Sequence, residues 1–227
     1  MYFDWTYLLM LPGLILGLYA QAKVKRNFEK YSRLTARLGI PASEMVQRLL
    51  HDNGLTDVGV MKVSGDLTDH YDPRDNTLSL SSGVHDSASI AAYGIAAHEA
   101  GHAMQKAQND SFLSLRSAVV PVVNIGSTLS WPLFVIGLIF SYDKLCVAGI
   151  ILFSAVLLFA LITLPVEFGA SKRAKEMLLS GGFLSRDEMT GVSAVLDAAA
   201  LTYVASFVSA LLQMLRLVLI LNSRRRD

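Results

Sequence analysis

The chain has 227 residues, of which 52% are hydrophobic and only 17% charged, and its formal net charge is +1. Soluble domains usually carry about a quarter charged residues, so this composition excludes a wholly water-soluble globule and a disordered chain. The balanced charge excludes a bulk positive field for nucleic acid, and a single cysteine, Cys146, excludes an intramolecular disulfide or a thiolate metal cage. We therefore expect an integral membrane protein, mainly α-helical, with three to four transmembrane helices and a small β element.

The first apolar stretch, from Tyr7 to Ala20, has no basic region before it and no small-residue cleavage site. Residues 1–20 are therefore predicted to form an uncleaved transmembrane anchor. The anchor is followed by basic residues, namely Lys23, Lys25, Arg26, Lys30 and Arg33. The positive-inside rule then puts the N-terminus outside and residues 21–118 in the cytoplasm.

Residues 21–118 carry eleven basic and eleven acidic side chains, which is most of the charge in the chain. The pattern predicts a helix over 23–38 that continues the anchor, a second helix over 41–53, and short strands over 58–63 and 77–80. Between the two strands, aspartates recur every third residue: Asp66, Asp69, Asp72 and Asp75. The central glycine and closing glutamate of a calcium loop are missing, so we interpret this segment as a solvated turn.

An alanine-rich helix is predicted over 87–109, with Asp86 or Ser87 as its N-cap. Some of its residues are small enough for other elements to approach the helix closely: Ala97, Ala100, Gly101 and Ala103. This helix is therefore suited to the centre of a packed site.

The same helix contains an H-E-x-x-H motif made of His98, Glu99 and His102. Residues four apart share a helix face, so both imidazoles can bind one Zn²⁺ ion per chain. Glu99 lies one position along, where it can reach a water on the metal and act as the catalytic base. The alternative is that the histidines only cap the helix or pack against neighbouring elements. In that case the glutamate between them would have no role.

Segments 119–140 and 145–166 are long enough to cross the bilayer, and their short polar link predicts a transmembrane hairpin over 119–166. A zinc site of this kind needs a third protein ligand, and Glu167 is favoured because it emerges from the hairpin on the side of the zinc helix. We therefore expect residues 167–197 to carry this ligand. Other candidates remain open: His51, His70, His85, Glu176 and Glu188.

Residues 198–227 form a C-terminal hydrophobic segment and a basic tail. The apolar part, 198–221, carries several polar side chains: Thr202, Ser206, Ser209, Gln213 and Arg216. A full span would put the arginines at 224–226 outside, against the positive-inside rule. A re-entrant segment, or one packed with both ends inside, is therefore the alternative to a span.

Three stretches resemble the YugP-type membrane zinc metallopeptidases of bacteria: H-E-A-G-H-A-M-Q from His98, residues 69–73, and residues 165–174. The resemblance covers essentially the whole chain, and the order of segments is more distantly similar to HtpX-type proteases. It implies a gluzincin site in which His98, His102 and Glu167 bind zinc and Glu99 is the base. In the broader gluzincin pattern, an aspartate four residues after the ligand glutamate orients an imidazole. Here that position is Ser171, which can accept the same hydrogen bond without a charge.

The expected protein is a multi-pass zinc metalloendopeptidase of the bacterial cell membrane, with Glu99 and the metal on the cytoplasmic side. Its expected partners are the lipid bilayer, protein or peptide substrates that include membrane proteins, and an unknown membrane partner or a second copy. A catalytically silent zinc-binding scaffold or adaptor is the alternative. A transporter fits less well because the histidine pair lies outside the spans.

Two further expectations concern how a substrate is bound. A donor for the developing oxyanion is expected, and its candidates are His70, Tyr71, Tyr93 and Tyr203. The strand over 76–82 is predicted to bind extended substrate by edge pairing.

Overall fold

The computed structural model describes residues 5–224, and over this part of the chain the protein is mainly helical with one small sheet. Residues 1–4 of the predicted anchor and residues 225–227 of the basic tail lie outside the described residues. The elements in chain order are a 3₁₀ turn Trp5–Met10, α1 Leu11–Ser32, α2 Ala42–Asp52, β1 Gly59–Val63, β2 His70–Asp72, β3 Thr77–Ser81, α3 Ser82–His85, α4 Ile90–Ala107, α5 Ser111–Ile139, α6 Asp143–Ser180 and α7 Arg186–Arg224.

Within the described residues, the helices long and apolar enough to cross a membrane are Trp5–Ser32, α5, α6 and α7. The predicted fold class is therefore confirmed, with four candidate spans. Each helix extends beyond its apolar stretch. For example, α1 carries the anchor unbroken into the basic segment. It ends at Ser32, and not at residue 38, because the chain then turns to pair Thr35 with Ser89.

The chain divides into two compact units. The helical unit takes its described residues from Met1–Ala20, Ser114–Pro165 and Leu201–Asp227, and the sheet unit comprises Gln21–Leu113 and Val166–Ala200. Each of the helices α1, α5, α6 and α7 contributes residues to both units.

In the helical unit, α5 and α6 form a hairpin whose backbones touch. A Cβ added to Gly126 would lie 2.6 Å from the carbonyl oxygen of Leu152, and one added to Gly149 would lie 2.6 Å from that of Ser130. Small residues that permit such close approach are the usual basis of helix association in lipid.

The α7 helix runs unbroken to the turn between α5 and α6. The guanidinium of Arg224 donates to the carbonyl of Leu138 at 2.7 Å, at the end of α5. Arg216 is buried, lies 3.9 Å from the centre of the Tyr7 ring, and donates to the Thr6 hydroxyl at 3.1 Å. This geometry gives the arginine in an apolar helix a hydrogen-bond acceptor and an aromatic face.

In the sheet unit, the strand order is β1-β3-β2, with β1 parallel and β2 antiparallel to β3. Because β3 is paired on both sides, the prediction that residues 76–82 form an edge for substrate is wrong. The aspartate-rich segment, interpreted as a turn, contains the edge strand β2. In this segment, Asp69 accepts a hydrogen bond from the Ser81 amide at 2.8 Å, and Asp72 accepts one from Arg74. These carboxylates therefore stabilise the hairpin of β2 and β3.

The core of the sheet unit lies between the sheet and the helices. Leu78 and Leu80 of β3 are fully buried, in the same apolar cluster as Met45 and Leu49 of α2. Contacts between α4 and α2, α3, β2 and β3 make α4 the centre of this unit. Burial of this apolar surface holds α4 in place and thereby fixes the direction of its polar side chains.

Candidate metal centre

The α4 helix begins after Ser89, whose hydroxyl accepts from the Ala92 amide at 3.2 Å. The sequence had suggested Asp86 or Ser87 as the cap, and both are used otherwise. Ser87 donates its hydroxyl to that of Ser89 at 2.9 Å, while Asp86 pairs with Lys62. The cap lies two to three residues later than predicted because α3 occupies the preceding turn.

Three of the predicted site residues meet at one point. The ligand atoms of His98, His102 and Glu167 all lie within 4.8 Å of one another. The Glu167 Oε2 atom is 3.3 Å from His98 Nε2 and 3.6 Å from His102 Nε2. The Glu167 side chain is only 3% exposed, and the two imidazoles are 14% and 11% exposed.

Both imidazoles are held through their other ring nitrogen. His98 Nδ1 lies 3.1 Å from the Ser171 hydroxyl, and His102 Nδ1 lies 2.9 Å from the Gln105 side-chain carbonyl. Ser171 therefore lies where the sequence predicted an uncharged hydrogen-bonding partner for an imidazole. Such contacts fix the ring orientation of metal-binding histidines.

The electrostatics of the cluster favour a bound cation. Burial lowers the pKa of His102, but the hydrogen bond to Glu167 and the nearby charge of Glu99 outweigh this effect, and the pKa lies above its usual value. A buried carboxylate between two imidazoles therefore attracts either protons or a metal ion.

The donor set fits zinc. Two imidazole nitrogens and one carboxylate oxygen are the protein ligands of many catalytic zinc sites, in which a fourth position stays open. Within residues 5–224, this is the one cluster of histidine and acidic side chains with such spacing.

The other ligand candidates have separate contacts. They are His51 beside Asp52, His70 beside the Thr68 carbonyl, His85 beside Asp86, Glu176 beside Lys172, and Glu188 at the Ser185 and Arg37 amides. Among the described residues, Glu167 is therefore the third member that the fold supplies.

Two contacts that the sequence analysis missed join α6 to α4 and to the short link that follows α4. Gln105 donates from Nε2 to the Val166 carbonyl at 2.8 Å. Arg173 donates to Asp110 at 3.0 Å, and Asp110 in turn accepts from the Phe112 amide at the start of α5. The signal for Gln105 was available, because it is a polar residue three positions after His102, on the helix face that carries both histidines.

The three tyrosines among the candidate oxyanion donors differ in their surroundings. Tyr93 is fully buried and donates to the Ile40 carbonyl at 2.7 Å, which commits its hydroxyl to the core. Tyr71 donates to the Asn76 side chain at 2.5 Å, and burial, with the charges of nearby aspartates, raises its pKa and keeps the phenol protonated. Tyr203 belongs to the helical unit.

Comparisons with known proteins agree with this site. Residues 6–222 match a family described as "putative neutral zinc metallopeptidase". The chain is 48% identical over 217 residues to the "putative membrane protease YugP" of Bacillus subtilis (strain 168). The aligned region covers 95% of this chain and 96% of that protein. No solved structure matches the chain. The chain belongs to this neutral zinc metallopeptidase family of membrane proteins.

Proposed function

We propose that this protein is a zinc-dependent endopeptidase of the bacterial cell membrane that cleaves proteins at the cytoplasmic face. The observation that carries the proposal is the convergence of His98, His102 and Glu167 within 4.8 Å, with Glu99 on the same helix as the two histidines. Membership of a metallopeptidase family supports the same chemistry.

The three clustered side chains would hold one zinc ion, and Glu99 is left for catalysis. A zinc ion held there would supply a Lewis acid that polarises a substrate carbonyl and lowers the pKa of a bound water to about 7. Glu99 is a buried residue, and its charge acts on the neighbouring His102.

Glu99 would act as the general base and then as the general acid. Its carboxylate takes the proton from the attacking water and delivers it to the leaving amine, so that the peptide bond breaks and two chain ends form. The neighbouring histidines would not share this role, because their Nε2 atoms would hold the metal and their Nδ1 atoms contact Ser171 and Gln105.

A protein substrate in extended form requires an open sheet edge. Both outer strands, β1 and β2, have one free edge, and β2 is the outer strand that contacts α4. We place the substrate strand beside β2, since that edge is next to the helix that carries Glu99.

The cytoplasmic location rests on the sequence. Basic residues follow the first span, and Lys172 and Arg173 follow the segment that ends at residue 166. The positive-inside rule assigns both flanks to the cytoplasm, and membrane proteins with cytoplasmic segments are then accessible substrates.

The deciding experiment measures zinc content and peptide hydrolysis in the full-length protein and in the variants His98→Ala and Glu167→Ala. Both variants should lose zinc and activity. Glu176→Ala, on the exposed face of the helix that carries Glu167, should keep both. Tight zinc binding by Glu167→Ala would remove this residue from the ligand set. Stoichiometric zinc in the wild type with no hydrolysis of any peptide or membrane-protein substrate would favour the silent scaffold.

A further inference from the structure

The Gln105 side chain, on α4, contacts His102 of its own helix and the backbone of α6 next to Glu167. Its amide is completely buried, with Oε1 2.9 Å from His102 Nδ1 and Nε2 2.8 Å from the Val166 carbonyl oxygen. A buried amide is costly unless its donor and acceptor are used, and both are used here.

The two contacts determine the orientation of the amide. The Val166 carbonyl can only accept a hydrogen bond, so the Gln105 NH₂ group must face it. The Gln105 carbonyl then faces His102 Nδ1 and can only accept, which requires the ring proton on Nδ1. In the neutral ring this leaves the lone pair on Nε2, the atom that faces Glu167.

The other imidazole lacks an equivalent constraint. His98 Nδ1 meets the Ser171 hydroxyl, which can rotate either to donate or to accept. Ser171 therefore orients the His98 ring but does not select its tautomer, whereas Gln105 does both for His102.

The far end of Gln105 acts on the other ligand helix. Val166 directly precedes Glu167, and a Cβ added to Gly169, one turn along, would lie 2.8 Å from Gln105 Nε2. The amide is thus packed against the turn of α6 that presents Glu167, so that one side chain controls the placement of ligands on two helices.

We propose that Gln105 is a positioning residue: it selects the Nδ1–H tautomer of His102 and holds the α6 backbone beside Glu167, so that both ligands face the metal before it binds. This inference rests on the proposed zinc site. It concerns the metal-free protein as well, and that state provides a test separate from activity.

The test uses the full-length protein labelled with ¹⁵N-histidine, in micelles, with zinc removed and at an alkaline pH that keeps the rings neutral. Two-bond ¹H–¹⁵N correlations show which ring nitrogen carries the proton, and His102→Asn identifies the His102 signals. Zinc affinity is measured in parallel by competition with a chelator. The variants are Gln105→Leu, Gln105→Asn and Gln105→Glu. Gln108→Leu is the control, because Gln108 is the C-cap residue of the same helix and its side chain accepts from Arg173 at 2.9 Å.

Wild type and Gln108→Leu should show His102 protonated on Nδ1. Gln105→Leu, and Gln105→Asn with its shorter amide, should shift His102 towards the Nε2–H tautomer and weaken zinc binding about 10- to 100-fold. Gln105→Glu restores an acceptor for His102 but no donor for Val166, so the Nδ1–H tautomer should return with only partial recovery of zinc affinity.

An unchanged His102 tautomer in both Gln105→Leu and Gln105→Asn would overturn the inference, even if these variants unfold at lower temperature. If Gln105→Leu fails to fold, Gln105→Asn decides the matter, because it keeps a polar amide of smaller reach. Failure of the zinc site itself has a different signature: His102→Asn would then bind zinc as tightly as the wild type, whatever the tautomer.

Discussion

Gly101 of the zinc-motif helix lies against the backbone of Ala170 on α6. A Cβ built on Gly101 would be 2.4 Å from the Ala170 carbonyl oxygen and 3.1 Å from its Cα atom. The unspecified position before the second histidine of the motif is therefore the point at which the helix of the clustered histidines touches the helix of Glu167. Only a residue without a side chain permits Glu167 to reach the imidazoles.

Replacement of Gly101 by alanine should force α6 away from α4. Overpacking of this kind costs about 1–3 kcal/mol, and the displaced Glu167 should reduce the zinc content. Thermal unfolding and metal analysis are the measurements. Gly94→Ala is the control on the same helix, because the nearest atom to its Cβ would be a methyl carbon of Val192 at 3.3 Å, with the Val192 backbone at 3.7 Å. Full zinc content in Gly101→Ala would contradict the prediction.

Glu99→Gln should separate metal binding from catalysis. The amide keeps the size of the side chain but cannot take a proton from water, so peptide hydrolysis should fall about 10²- to 10⁴-fold while zinc stays bound. Activity and zinc content are measured on the same sample. Glu176→Gln, a solvent-exposed substitution, should leave both unchanged. Hydrolysis at the wild-type rate would exclude Glu99 as the base.

Ser171 offers a graded change in the group that holds His98. Ser171→Ala removes the hydrogen bond at Nδ1 and should weaken zinc binding about 10-fold or more, whereas Ser171→Asp supplies a charged acceptor and should strengthen binding relative to Ser171→Ala. Chelator competition measures both. Ser180→Ala, at the exposed end of α6, serves as the control. Equal zinc affinity in all four proteins would show that Ser171 has no influence on the ligand.

Asp110 combines two roles that substitution can separate. It caps α5 through the amides of Phe112 and Leu113 and pairs with Arg173. Asp110→Asn keeps the cap and loses the charge, whereas Asp110→Ala loses both and should cost about 0.5–2 kcal/mol more. Unfolding midpoints compare the variants, and Arg173→Met tests the pair in a double-mutant cycle. Equal stability of the Asn and Ala variants would remove the capping role.

Removal of zinc should lower the stability of the wild type. A ligand that binds only the folded state contributes about 2.7 kcal/mol when its free concentration is 100 times its Kd. Unfolding scans with and without chelator should therefore differ for the wild type and coincide for Glu167→Ala. A wild-type midpoint that does not respond to the chelator, in protein shown to contain zinc, would contradict a buried site.

Much of this architecture follows from local sequence patterns. The H-E-x-x-H spacing puts His98 and His102 on one face of any helix that forms there, since residues four apart are neighbours on its surface. Runs of apolar residues predict the long helices because the bilayer leaves a backbone no other way to satisfy its hydrogen bonds. Glu167 could be favoured as a ligand because a hairpin must return near its starting side.

Contacts between distant segments could not be predicted in the same way. The central position of β3 depends on β2, a three-residue strand hidden in an aspartate-rich segment with no alternating pattern. The cap at Ser89 depends on where α3 ends. Such short elements are stabilised by their neighbours, so their own residues carry little signal.

The sequence by itself determined the membrane class and the zinc motif, because each depends on spacing along the chain or on composition. Only the tertiary structure decided how the metal ligands are held. Gln105 reaches Val166, 61 residues away, and Gly101 admits Ala170. Contacts at that separation arise when burial of apolar surface brings α4 and α6 together, and no local period along the chain encodes them.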